Sequence, residues 1–240
     1  MKRFEDKIVI VTGAARGIGR TVAELMLEQG AKHVYSLDVA VGDGMKNFTQ
    51  KKVDISNRDS VEQVIKEIVD ESKHIDVLVN NAGVTRDGLV EKISEENWDF
   101  VIDINLKGTF NVTQAVVPFM KETGKGAIVN LASIVGEYGN IGQTNYAATK
   151  AGVIGMSYTW AKEFTRKGEN IRTNVVAPGY VNTEMVQSVP EKIIDRLKEQ
   201  NPMKRLAEPI EIANAIAFLA SDEASFVNGH VLSVNGGMRI

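Results

Sequence analysis

The fold is decided near the start of the chain, where residues 7–12 read K-I-V-I-V-T and residues 13–19 read G-A-A-R-G-I-G. The continuous apolar run predicts a strand covered on both faces of a sheet, and the following segment has helical periodicity as far as Gly30. Glycines between a strand and a helix permit a tight turn and let an anion approach the free N–H groups of the helix. This unit predicts a loop that binds the phosphates of a dinucleotide through Gly13, Arg16, Gly17, Ile18 and Gly19.

Further apolar runs alternate with segments of helical periodicity, which predicts β-α-β units and a parallel sheet. The predicted strands are Lys7–Thr12, His33–Asp38, Lys52–Asp54, Ile75–Asn80, Ala127–Ala132, Ile171–Val176 and His230–Val234. Helix beginnings are recognisable at Ser56, Asn57 and Asp59, at Ser94-Glu95-Glu96, and at Glu208-Pro209. The residues between Asp38 and Asp54 lack apolar periodicity, so an irregular connection is expected there instead of a crossover helix.

The composition of the 240 residues excludes several classes of function. A net charge of −3 gives no positive field for nucleic acid, and no run reaches the roughly 18 apolar residues of a membrane span. With no cysteine and only three dispersed histidines, disulfides, thiolate catalysis and a metal site are not expected. No linker or repeat divides residues 1–240, and the first apolar run is too short for a signal peptide. We expect a single cytoplasmic domain.

Asp38 indicates which dinucleotide is bound. It ends the second predicted strand 19 residues after Gly19, where a carboxylate can accept a hydrogen bond from the adenosine ribose 2′-OH. A carboxylate there repels the 2′-phosphate of NADP, which favours NAD(H) over NADP(H). Arg16 can meet a 2′-phosphate, but it can equally be a solvated charge or a general phosphate contact. We therefore predict NAD(H) from Asp38.

Two tyrosine–lysine pairs have the spacing that places both side chains on one helix face, Tyr146 with Lys150 and Tyr158 with Lys162. Tyr146 lies near the beginning of its helix, just after a strand, at the edge where parallel sheets bind ligands. Tyr158 lies 12 residues further on, roughly 18 Å along the helix. We predict that Tyr146 is catalytic and that Tyr158 is structural or at a subunit contact.

The chemistry of the first pair suits hydride transfer to a carbonyl, because the resulting alkoxide needs a proton. The phenol of Tyr146 can donate that proton if a cationic Lys150, helped by the oxidised nicotinamide, brings the phenol pKa down from about 10 towards neutrality. Ser133, just past a strand, can hydrogen-bond the substrate oxygen. Asn105 lies in a helical stretch, where it is either part of the site or a satisfied buried amide.

In this order the motifs resemble the short-chain dehydrogenase/reductase family over essentially the whole chain. They are T-G-x-x-x-G-x-G from Thr12, N-N-A-G from Asn80, a serine 13 residues before Tyr146, and Pro178-Gly179 followed by Thr183. The resemblance implies a single doubly wound Rossmann domain with a seven-stranded parallel sheet, helices on both faces and a homotetramer. It also implies a catalytic tetrad of Asn105, Ser133, Tyr146 and Lys150. The implied cofactor contacts beyond the phosphate loop are Asp54, Ile55, Asn81, Ala82, Gly83, Tyr146, Lys150, the Pro178-Gly179 turn and Thr183.

Within that family, four stretches resemble 3-oxoacyl-(acyl carrier protein) reductases: residues 84–87 (V-T-R-D), 139–146 (G-N-I-G-Q-T-N-Y), 175–180 (V-V-A-P-G-Y) and 234–238 (V-N-G-G-M). The resemblance implies an acyl-thioester substrate. Those reductases usually use NADPH, whereas Asp38 predicts NAD(H). Arg166 and Lys167 either receive an acidic acyl carrier protein or complement a helix C-terminus.

Two other functions share the same motifs. One is an NAD-dependent dehydrogenase of a small secondary alcohol, sugar or cyclic diol, and the other is a non-catalytic dinucleotide-binding sensor or scaffold. The segment from Tyr180 to Ala207 is predicted to close over the substrate. Its apolar residues Met185, Val186 and Val189 either contact an acyl chain or pack the segment against the domain.

Overall fold

The computed structural model describes residues 2–187 and 191–238. A β-sheet forms the centre of the molecule. The strands are β1 (Ile8–Thr12), β2 (His33–Asp38), β3 (Phe48–Lys52), β4 (Val77–Asn80), β5 (Lys125–Leu131), β6 (Asn170–Pro178) and β7 (Val231–Val234). They form one seven-stranded sheet in the order β3-β2-β1-β4-β5-β6-β7, and every pair of neighbours is parallel. The predicted doubly wound parallel sheet is confirmed.

Helices connect the strands. They are α1 (Gly17–Glu28), α2 (Arg58–Ser72), α3 (Glu95–Ile102), α4 (Thr109–Thr123), α5 (Ile134–Tyr138), α6 (Thr144–Glu163), α7 (Glu184–Gln187), α8 (Glu191–Gln200) and α9 (Pro209–Ala220). A π-helical segment, Asp103–Gly108, joins α3 to α4, and a 3₁₀ turn, Asp222–Ala224, follows α9. Asn57 and Ser94 cap α2 and α3 as predicted, accepting hydrogen bonds from Ser60 N (3.0 Å) and Asn97 N (3.2 Å).

Two buried clusters cover the two faces of the sheet, because successive strand residues point to opposite sides. On one face, Val9 and Val11 of β1 pack with residues of α1 and α9. On the other face, Ile8 and Ile10 pack with residues of α2, α4 and α6. The layers therefore hold the carboxyl ends of the strands in fixed relation, and these ends form the edge at which the predicted site residues lie.

The third strand was predicted wrongly as Lys52–Asp54, since the structure places it at Phe48–Lys52. β3 is one of the two edge strands of the described sheet and pairs with β2, from Val34 opposite Phe48 to Asp38 opposite Lys52. Edge strands are half solvated and therefore carry polar residues, which removes the apolar signal. The predicted irregular connection is confirmed, because residues 39–47 join β2 to β3 without a helix.

Candidate active site

The phosphate loop is tied to the loop that follows β4. Asn81 Nδ2 donates to the carbonyl oxygens of Thr12 and Gly13, each at 3.0 Å. The Thr12 hydroxyl oxygen accepts hydrogen bonds from the backbone N–H groups of Asn81 and Ala82, also at 3.0 Å. The two neighbouring strands β1 and β4 thus present their following loops as one unit, with Asn81 and Ala82 beside Gly13; a contact of these residues with the cofactor stays a prediction.

The glycines of this loop leave room that a side chain would fill. Gly13 has a φ of +68°, and a Cβ added there would lie 2.9 Å from Ala82 Cα. A Cβ on Gly19 would overlap the carbonyl oxygen of Gly13. Arg16 stands at the N-cap of α1, and a guanidinium has no acceptor for the first N–H groups of the helix. These N–H groups are free for an anion, so the loop fits the pyrophosphate of a dinucleotide.

Arg16 and Thr183 lie at the mouth of the loop. The Arg16 guanidinium is exposed and 3.6 Å from the carboxylate of Glu184. The Thr183 methyl group would lie 3.9 Å from a Cβ on Gly17, so Thr183 covers the loop. Pro178 ends β6, and Gly179 N donates to Val234 O at 3.0 Å, which seats this turn against β7.

Asp38 lies against the same loop. One carboxylate oxygen accepts from Ala15 N and the other from Ala40 N, each at 3.0 Å. A carboxylate offers about four acceptor positions, so two are left for ribose hydroxyls. Asp54 accepts from Ser56 N (2.9 Å) and from the Ser56 hydroxyl (2.8 Å), while the Ile55 side chain is buried. Asp54 and Ile55 both follow β3, at the same edge of the sheet as Asp38.

The candidate catalytic residues converge beyond the end of β5. Lys150 is buried and donates to Leu131 O at 2.8 Å, and its Nζ lies 5.6 Å from the centre of the Tyr146 ring. Ser133 caps α5, and its hydroxyl accepts from Val135 N at 3.1 Å. A Cβ on Gly83 would lie 3.4 Å from Lys150 Nζ, so the loop after β4 lies beside Lys150.

Burial dominates the electrostatics of this pair. It lowers the pKa of Lys150 from 10.5 to about 8 and raises the pKa of Tyr146 above its usual value of 10. Hydrogen bonding by Ser133 lowers the Tyr146 pKa, and the negative charge of Asp87 raises it. For the chain on its own, desolvation of the phenolate outweighs the stabilising contacts, and the lowering of the phenol pKa by Lys150 together with the oxidised nicotinamide stays a prediction.

Asn105 lies in the π-helical segment and is fully buried. Its Oδ1 accepts from Val84 N at 2.8 Å, and its Nδ2 donates to Val84 O (2.9 Å) and Thr149 Oγ1 (3.2 Å). Of the two alternatives, the structure shows the satisfied amide, and this amide also joins the loop after Gly83 to the helix turn before Lys150. A catalytic role for Asn105 stays a prediction.

The sequence singled out residues 84–87 and 139–146 only as points of resemblance and gave no role to Asp87 or Gln143. In the structure, Gln143 Nε2 donates to both carboxylate oxygens of Asp87 at 3.1 Å, and Gly88 N donates to Gly142 O at 2.8 Å. These contacts join the loop after β4 to the turn just before Tyr146. Tyr158, by contrast, is exposed on α6, as is Lys162, which agrees with their exclusion from the site.

The segment from Tyr180 to Ala207 contains α7 and α8. No residue of α8 is fully buried, and closure of this segment over a substrate stays a prediction. Val186 is partly buried, whereas Val189 and the side chain of Met185 lie outside the described residues. In the part of the chain that the structure describes, no helix has the length and apolar character needed to cross a membrane.

A glycine loop at a helix N-terminus and a tyrosine–lysine pair in the same cleft define the class of dinucleotide-dependent oxidoreductases. A family model described as enoyl-(acyl carrier protein) reductase matches residues 13–239, and the chain belongs to the short-chain dehydrogenase/reductase family. It is 47% identical to a 3-oxoacyl-[acyl-carrier-protein] reductase of Thermotoga maritima, covering 99% of this chain and 100% of the relative. A protein of the same name from Vibrio cholerae is 42% identical, with 98% of each chain covered.

Solved structures agree on the fold. The ligand-free aldohexose dehydrogenase of Thermoplasma acidophilum has a TM-score of 0.91 at 35% identity, covering 97% of this chain and 94% of its own. A levodione reductase also has a TM-score of 0.91, at 32% identity, with 98% of both chains covered.

The crowding at Gly19 can be tested by direct binding. We expect Gly19→Ala to weaken the binding of NAD⁺ by at least about tenfold, because a methyl group that overlaps the Gly13 carbonyl displaces the loop. The measurement is isothermal titration calorimetry, with circular dichroism to show that the variant is folded.

The matched control is Gly155→Ala, since a Cβ at Gly155 in α6 has no neighbour within 4 Å. Equal affinities in the two variants would show that the loop tolerates a side chain and does not approach the phosphates closely.

Proposed function

We propose that the protein reduces a 3-oxoacyl thioester to its 3-hydroxyacyl form with NAD(H). The observation that carries this proposal is the convergence of Ser133, Tyr146 and Lys150 at the sheet edge where the glycine loop lies. The substrate class is supported by the names of the relatives that share 42% and 47% identity over nearly the full chain.

Each residue of the site has a separate role in the proposed reaction. The bound nicotinamide supplies the hydride for the carbonyl carbon. The phenol of Tyr146 donates its proton to the carbonyl oxygen, while the Ser133 hydroxyl holds that oxygen in place. The Leu131 carbonyl fixes the position of Lys150 Nζ, and the lysine cation stabilises the phenolate that remains. A proton from solvent then restores the phenol.

The arrangement favours reduction of a carbonyl over reduction of a carbon–carbon double bond. The family model is described as an enoyl reductase, whereas the relatives are named 3-oxoacyl reductases. Two neutral hydroxyl groups, Ser133 and Tyr146, lie close enough for hydrogen bonding between them to affect the phenol pKa. A pair of donors of this kind suits one oxygen atom at the reacting carbon.

Three observations support NAD(H) as the cofactor. Asp38 is anchored at the phosphate loop by Ala15 N. Residues 39–45 read V-A-V-G-D-G-M and contain no lysine or arginine to neutralise a 2′-phosphate, so that Lys46 is the first basic residue of the connection. Arg16 lies within ion-pair distance of Glu184, which reduces the charge that it can offer to a phosphate.

We also propose an acyl carrier protein as the partner that brings the substrate, and a homotetramer as the assembly. Arg166 and Lys167 are exposed in the turn after α6, where an acidic partner can reach them. Phe226 is fully exposed and Tyr158 is 48% exposed, and exposed aromatic residues are typical of subunit interfaces.

A second candidate is the oxidation of a sugar or a small cyclic alcohol with NAD⁺. It is favoured by the two solved structures, whose names are aldohexose dehydrogenase and levodione reductase. The higher identity to the 3-oxoacyl reductases places it second. A non-catalytic sensor is less well supported, because a binding protein does not need Lys150 buried beside Tyr146.

We expect the protein to oxidise NADH in the presence of acetoacetyl-CoA, which stands in for the acyl-carrier thioester. Tyr146→Phe should lower the rate at least about a hundredfold, because the proton donor is lost. NADH absorbance at saturating substrate measures both rates.

Tyr158→Phe is the matched control and should retain the rate of the unaltered protein. If acetoacetyl-CoA is not reduced while a panel of sugars and cyclic alcohols is oxidised with NAD⁺, the second candidate is correct. A rate that survives in Tyr146→Phe would remove the catalytic assignment.

The pH dependence follows from the lowered pKa of Lys150. Burial favours the neutral amine, so the lysine is cationic below about pH 8 and loses its charge above it. We therefore expect kcat/KM for reduction to fall as the pH rises through about 8. The exposed Lys162 provides the control, since Lys162→Met should leave the profile unchanged; a flat profile from pH 7 to 9 would contradict the role of Lys150.

Asp38→Ala should lower the ratio of the dissociation constants of NADP⁺ and NAD⁺ by about tenfold. The substitution removes roughly 1–2 kcal/mol of repulsion between the carboxylate and a 2′-phosphate. Dissociation constants measured by calorimetry give this ratio without turnover. Asp59→Ala, which removes an exposed acid in the first turn of α2, is the control. A ratio that does not change in Asp38→Ala would place Asp38 away from the ribose.

A further inference from the structure

The short connection between β2 and β3 lies directly on the phosphate loop. A Cβ added to Gly42 would be only 2.9 Å from the carbonyl oxygen of Ala15. Asp38 bridges the same two segments, since its carboxylate accepts from Ala15 N and from Ala40 N. Residues 39–45, which we term the β2–β3 loop, are therefore held against the position proposed for the adenosine ribose.

Gln50 in β3 holds the β2–β3 loop in this place. Its Oε1 accepts from Gly42 N at 2.6 Å, and its Nε2 donates to Gly42 O at 2.8 Å. One side-chain amide thus pairs with both backbone groups of one loop residue, as a neighbouring strand would. Arg20 of α1 adds a second anchor, since its guanidinium donates to Asp43 O at 2.6 Å.

These contacts disfavour the binding of a further phosphate, the 2′-phosphate of NADP, beside Asp38. The backbone carbonyls of Gly42 and Asp43 accept hydrogen bonds from Gln50 Nε2 and from the Arg20 guanidinium, and Asp43 adds a negative charge to the loop that lies against Ala15. Residues 39–45 offer an anion no cation and carry one negative charge, while the basic neighbours of the loop are Arg20, whose guanidinium is bonded to Asp43 O, and Lys46. Opening of the loop would both widen the space and move these groups away.

We propose that Gln50 is a specificity-determining positioning residue, which clamps the β2–β3 loop onto Ala15 and thereby excludes dinucleotides that carry a 2′-phosphate. The proposal rests on the proposed use of NAD(H), and it assigns part of that preference to a residue that does not touch the cofactor.

The test is the ratio of the dissociation constants of NADP⁺ and NAD⁺, measured by calorimetry without substrate. We expect Gln50→Leu, which keeps the volume and removes both hydrogen bonds, to lower this ratio at least about fivefold. Gln63→Leu is the matched control, because Gln63 is exposed on α2 and donates a hydrogen bond to Glu67 of the same helix. It should leave the ratio within about twofold of the unaltered protein.

A second pair of variants tests the loop contact and does not disturb β3. Gly42→Ala places a methyl group against Ala15 O and should lower the ratio in the same way. Gly44→Ala adds the same group two residues away, where nothing lies within 4 Å, and should not change the ratio. If Gln50→Leu fails to fold by circular dichroism, the glycine pair decides.

The outcomes separate this inference from the proposed cofactor. If the unaltered protein prefers NAD⁺, and the ratio falls in Gln50→Leu and in Gly42→Ala but not in their control variants, the clamp is established. If the unaltered protein prefers NAD⁺ but neither variant changes the ratio, the clamp is wrong and the cofactor proposal stands. A change in Gly42→Ala alone, with Gln50→Leu folded, would mean that something other than Gln50 holds the loop. A preference of the unaltered protein for NADP⁺ would overturn both proposals.

Discussion

Hydrogen bonds between the loops after β1 and β4 hold the candidate site together. Thr12 and Gly13 accept from Asn81 and Ala82 through backbone and side-chain groups, all at 3.0 Å. The sheet places these strands next to each other although 64 residues separate Thr12 from Val77. Because one loop carries the candidate phosphate site and the other reaches Lys150 through Gly83, cofactor binding and proton transfer depend on the same contacts.

Burial sets the chemistry that this geometry allows. Lys150 and Tyr146 lie in surroundings that penalise both of their charged forms, so the lysine pKa falls and the phenol pKa rises. The neutral phenol is the form that donates a proton, which suits reduction of a carbonyl. The reverse reaction needs the phenolate, and the hydrogen bond with Ser133 is the contact that lowers the phenol pKa against the cost of burial.

Much of the fold could be predicted from local patterns. β2 has the predicted bounds, and the caps at Asn57 and Ser94 lie where the sequence indicates, because an N-cap depends on residues within one turn. β3 could not be found in this way, since its polar sequence forms a strand only through pairing with β2. The roles of Asp87, Gln143 and Gln50 were missed for a similar reason, because their partners belong to other segments of the chain.

The sequence by itself determined the parallel sheet, the phosphate loop, Asp38 as the residue at its edge, and Tyr146 with Lys150 as the candidate pair. These features rest on periodicity, on glycine spacing and on the one-turn spacing of a helix, which are local properties of the chain. Only the tertiary structure decided that Asn105 is a satisfied amide, that the phenol pKa is raised, and that the β2–β3 loop lies on Ala15. Each of these depends on burial or on contacts between distant segments, because both are created only when the layers of the fold assemble.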